Sequence, residues 1–90
     1  MIDKINPNYY KNKSIETIDA MESQLTRDEF VGYLKGQVWK YLSRHREKNG
    51  LEDIQKSMWF VIAILIKEYG MKPKDVLSFT EDLLVKEYGQ

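Results

Sequence analysis

The chain has 90 residues and a mass of 10.7 kDa, which limits it to one domain and excludes an enzyme with a separate cofactor lobe. Fourteen Lys and Arg balance fourteen Asp and Glu, so neither nucleic-acid binding by bulk charge nor mimicry of DNA is expected. There is no cysteine, which removes disulfides, thiolate nucleophiles and cysteine-held metals together and points to the reducing cytoplasm.

The first residues, Met-Ile-Asp-Lys-Ile-Asn-Pro, lack the apolar stretch of a signal peptide. The longest apolar run, Met58 to Ile66, covers under half of the roughly 20 residues that span a bilayer. It reads as a core helix, and no membrane partner is expected.

Residues 1–13 are polar, with Pro7 and the pair Tyr9-Tyr10, and read as an extended, docked arm. Ser14 is placed to cap a first helix over 15–24, in which Ile15, Ile18, Met21 and Leu25 keep helical spacing. Thr26-Arg-Asp-Glu29 has the form of a capping box and opens a second helix, predicted over 28–48 and stopped by Asn49-Gly50. A third helix is predicted from Leu51 to about Tyr69-Gly70. It is apolar almost all round in its second half and hence central. Pro73 suits the first position of a last helix, although Ser78-Phe-Thr-Glu81 is a rival start. No segment alternates with period two. The expected fold is all-α, a small bundle of about four helices with an extended N-terminal arm. Within one domain, 1–13 is the arm, 14–70 a three-helix core and 71–90 an added helix.

The most specific chemical feature lies on the second helix. Gly36, Lys40, Arg44 and Lys48 recur every four residues, so they share one broad face. Gly32 and Gly36 each cost a helix about 0.5–1 kcal/mol relative to alanine, which calls for close packing or ligand access in return. A lysine point charge beside a guanidinium fork suits a phosphate. A solvated basic stripe beneath a tight helix crossing explains the same residues. Carboxylates form a second constellation: Glu16 with Asp19, and Glu52 with Asp53. Facing the basic column, they would resemble a Mg²⁺–phosphate site; as plain structure, Glu52 and Asp53 complement the dipole of the third helix. Of the aromatic residues, Tyr9, Tyr10 and Tyr33 look placed for a ligand, while the others, Tyr41 included, read as core or interface. The lone histidine, His45, reads as solvated. Walker, dinucleotide-binding, zincin and nucleophile-elbow motifs are all missing, so any phosphate chemistry uses no P-loop.

Asn-Pro-Asn-Tyr-Tyr-Lys (6–11), Glu-Thr-Ile-Asp (16–19), Phe30, Tyr33-Leu-Lys-Gly-Gln-Val-Trp-Lys-Tyr-Leu-Ser-Arg (33–44), Lys48, Glu52-Asp53-Ile, Lys56 and Trp59 together form a recognisable pattern. It resembles the small bacteriophage family of a formerly uncharacterised domain, shared with the P-loop-less nucleotide kinase of podophages. The resemblance covers roughly residues 6–66. It implies a phage or prophage origin and the handling of deoxynucleoside phosphates, with nucleotide kinase activity as its furthest extension. By this analogy Lys40, Arg44 and Lys48 hold phosphate; Tyr33, Gly36 and Lys56 complete the expected binding set. Glu16, Asp19, Glu52 and Asp53 hold Mg²⁺ or polarise the acceptor, and Tyr10 borders the base. Family members often carry His before the second tyrosine of the arm; Tyr9 stands here, so a general base at that place is lost. The alternative expectation is a non-enzymatic phage protein that binds a host factor or sequesters a small nucleotide. For so small a chain a homo-oligomer is plausible in either case.

Overall fold

The computed structural model describes residues 15–89, with only the backbone described for residues 15 and 16. The predicted arm, the Ser14 cap and Tyr10 lie outside the described residues. The fold is all-α: α1 (Ile15–Gln24), α2 (Arg27–Arg44), α3 (Leu51–Lys67) and α4 (Pro73–Tyr88), with no strand among the described residues. No described helix is long and apolar enough to cross a membrane.

Local chemistry explains the helix boundaries. Thr26 closes the predicted capping box: its hydroxyl accepts from the Glu29 N–H at 3.2 Å, and its own N–H donates to the Glu29 carboxylate at 2.9 Å. The second helix ends at Arg44 rather than at 48, and hydrogen-bonded turns carry the chain over 45–50. Past Arg44 the backbone changes partners, the Glu47 N–H donating three residues back to the Arg44 carbonyl at 3.0 Å and the Gly50 N–H five back to the His45 carbonyl at 2.8 Å. The Asn49 N–H donates to the Asp53 carboxylate at 3.2 Å instead of to a helical carbonyl, and Gly50 takes a left-handed φ of 57° that a side chain would strain. Lys48 therefore sits in the turn. The last helix begins at Pro73, with Lys72 extended before it, which decides against a start at residue 79.

The core is small. Ile18, Phe30, Leu34 and Phe60 are buried together, and Met21, Tyr33, Tyr41, Trp59 and Ala63 pack around them. Most of this core forms where α2 and α3 lie side by side. An ion pair from Lys67 to Glu22 at 2.8 Å ties α3 to α1, and Arg27 donates to the Glu68 carbonyl at 2.6 Å. The bundle is less even than the sequence suggests. Among the described residues helix α4 packs against α3 alone and buries only Val76.

The expected tight crossing at the glycines is not found. Both Gly32 and Gly36 are exposed, and a Cβ added at either would meet none of the described residues within 4 Å.

Candidate functional site

Where the second half of α2 faces the start of α3, the structure gathers charge around one aromatic ring. Tyr41 is half-buried and stacks on Phe60, with centroids 5.9 Å apart and planes 10° from parallel. Phe60 is held in turn by Trp59 edge-on at 4.8 Å and by Tyr33 edge-on at 6.3 Å, so the position of Tyr41 is set by the core. Three cations lie over or beside its ring. The Arg44 Cζ is 4.7 Å from the centroid, the Lys40 Nζ 5.2 Å and the Lys56 Nζ 5.4 Å. Each distance falls within cation–π range.

Arg44 is oriented by Asp53, whose side chain is 0% exposed. The Arg44 Nε donates to Oδ2 and an Nη donates to Oδ1, both at 3.3 Å, and the Asn49 N–H completes the set. Burial pushes the Asp53 carboxyl up, but the Arg44 hydrogen bond, the Asn49 N–H and the Arg44 charge outweigh it and hold the group below the usual aspartate range. Two of the five N–H donors of the guanidinium are spent on Asp53, leaving three for another acceptor. Among the described residues, neither Lys40 nor Lys56 has a carboxylate within ion-pair distance. The three cations lie within roughly 11 Å of one another, a mutual repulsion that a bound anion would relieve.

The structure thus brings together Lys40, Arg44, Lys56 and Asp53 from the expected set. Tyr33 stands behind them in the core, edge-on to the Phe60 ring on which Tyr41 stacks. Burial and the neighbouring Tyr41 raise its hydroxyl above the ordinary tyrosine value, which keeps it a neutral hydrogen-bonding group. Gly36 is one turn before Lys40 on the open face of α2. Lys48 is on the exposed turn, off the regular helical column. Glu52 is buried beside Asp53 at the start of α3 and has its own interaction partner. Asp19 is exposed and lines a different feature, an apolar cleft of about 230 Å³ between α1, α2 and α3 that also involves Ile18, Phe30, Trp59 and Lys67. The side chain of Glu16 lies outside the described residues. Among the described residues no three Asp, Glu or His side chains assemble as a metal-holding group.

Tyr41 is the residue that sequence reading passed over. Its spacing marks it as core, which is half correct, since one face packs on Phe60 while the ring also carries the cations. The available signal was its place between Lys40 and Arg44 on the basic face of α2. Lys56 enters from α3, so its approach to the same ring depends on the tertiary fold.

Neither a curated protein nor a solved structure matches the chain. Residues 4–61, well over half of the chain, match the family model described as a protein of unknown function, DUF3310, and the protein belongs to that family.

Proposed function

We propose that the protein binds a deoxynucleoside phosphate, with the phosphate seated on Lys40, Arg44 and Lys56 beside Tyr41. The observation that carries this reading is the gathering of three cations around one ring, with the guanidinium clamped by a buried carboxylate. A pre-oriented fork beside two point charges recognises a phosphate group at little ordering cost. The open face at Gly32 and Gly36 leaves room along α2 for the rest of the ligand, and Lys48 extends the positive field from the turn. Mg²⁺ would arrive with the ligand and be held largely by its phosphate oxygens, since Asp19 lines another cleft and Glu52 is buried with its own partner. Asp53 is committed to Arg44 and serves as a positioning residue. The resemblance to phage proteins supports a setting in phage nucleotide metabolism in the bacterial cytoplasm, with phosphoryl transfer as the further step.

Calorimetric titration with deoxynucleoside mono- and triphosphates, with and without Mg²⁺, tests the reading. Submillimolar binding by the wild type is expected, weakened at least tenfold in Lys40→Ala and Lys56→Ala with the fold intact by circular dichroism. Absence of heat across the panel at millimolar ligand, or unchanged affinity in both variants, overturns it.

The indole of Trp39, 72% exposed on α2, favours a second reading, a non-catalytic accessory protein that docks on another protein. Capture of a stoichiometric host factor that is lost on Trp39→Ala would support it.

A further inference from the structure

Helix α4 lies beyond the residues that match the family and presents an apolar stripe that no described residue covers. Leu77, Leu84 and Tyr88 recur at i, i+7 and i+11, which places them on one face, and they are 64%, 47% and 73% exposed. A groove between α3 and α4, lined by Met58, Ile62 and Leu77, joins this stripe to Met58 and Val61, which are themselves exposed. We propose that this face is the interface of a two-fold symmetric homodimer in which the α4 helices of two copies pair antiparallel.

Two observations commit the face to a second copy. The first is area. The five exposed side chains present on the order of 600 Å² per copy, the upper end of what a monomer leaves in one patch and the lower end of what each partner buries in a stable interface. The second is charge. An isologous interface must complement itself. The start of α4 carries Lys72, Lys74 and Asp75, net one positive, and beyond Glu81 at its midpoint the end carries Asp82, Lys86 and Glu87, net one negative. Antiparallel pairing sets the positive end of each helix against the negative end of the other and opposes the two helix dipoles. Parallel pairing would place the two acidic ends together.

The test uses the full chain. Light scattering after size exclusion, from 10 to 200 µM, is expected to give twice the 10.7 kDa chain mass. Leu84→Glu, at an exposed position, is expected to return a single-chain mass with unchanged helical circular dichroism. Because the chain has no cysteine, Glu81→Cys at the midpoint of α4 serves as a reporter of direction. It is expected to form a disulfide-linked dimer on mild oxidation, whereas Tyr88→Cys is not. A single-chain mass at every concentration overturns the proposal, since the face would then be covered by residues 1–14 or by another protein. A dimer that survives Leu84→Glu, or cross-linking through Tyr88→Cys and not Glu81→Cys, also overturns it. The outcome does not depend on whether nucleotides bind.

Discussion

Phe60 joins the core to the candidate site, and its truncation tests both. The ring is 3% exposed and touches Tyr41, Trp59 and Tyr33. Removing a buried ring of this kind costs about 3–5 kcal/mol, from lost transfer energy and from the cavity that remains. The Trp59 and Tyr41 pairs belong to a class in which each contributes about 0.5–1.5 kcal/mol beyond area burial, which favours the upper half of that range. A 90-residue domain has roughly 5–13 kcal/mol in total, so Phe60→Ala is expected to leave a marginal fold. At about 4–8 °C per kcal/mol the melting temperature falls by more than 12 °C. Urea unfolding followed by circular dichroism gives the free energy directly. Phe60→Leu keeps most of the volume, is expected to lose about 1–2 kcal/mol, and is the variant in which to ask whether a loosened Tyr41 weakens phosphate binding. A loss below about 1 kcal/mol in Phe60→Ala would refute the assignment of this ring as the centre of packing.

Further predictions concern the capping box, the open glycine and the buried carboxylate. Thr26→Ala is expected to cost about 1 kcal/mol, read as a melting-temperature decrease of about 4–8 °C. Because no described residue lies within 4 Å of a Cβ at Gly36, Gly36→Ala is expected to stabilise the helix by about 0.5–1 kcal/mol; a fall in nucleotide affinity in the same variant would show that the ligand lies along this face. The folded-state carboxyl of Asp53 is held below its ordinary value, so its contribution to stability is present at neutral pH and lost as pH drops below about 4, through the folded value. Melting temperature against pH from 2 to 6 is expected to fall more steeply in the wild type than in Asp53→Asn. Arg44→Met is expected to destabilise at pH 7 by leaving Asp53 buried without its cation, and adding Asp53→Asn to recover part of the loss.

Much of the fold follows from local chemistry, which is why it was readable. The capping box at Thr26, the start at Pro73 and the centrality of the Met58–Ile66 run each depend on residues close in sequence. The end of α2 did not, because past Arg44 the chain tightens into turns whose Asn49 N–H goes to a carboxylate four residues ahead. In the same way Asp53 reads equally well as a metal ligand or a dipole partner until the 45–50 turn folds back and places it under Arg44. The two glycines suggested either a crossing or an access route, and only packing could separate these. Tyr41 looks like core by period, and Lys56 belongs to another helix, so their meeting is a product of how α2 and α3 pack. The weak docking of α4 was equally hidden, since apolar spacing marks a face to be covered without saying by what.

Mapping of backbone amide shifts by NMR during titration with a deoxynucleoside monophosphate tests the anion site most directly. The account predicts that saturable changes concentrate at Lys40 to Arg44 and at Asp53 to Lys56, and that they disappear in Lys40→Ala. Changes confined to the cleft around Ile18 and Trp59, or none at millimolar ligand, would contradict it.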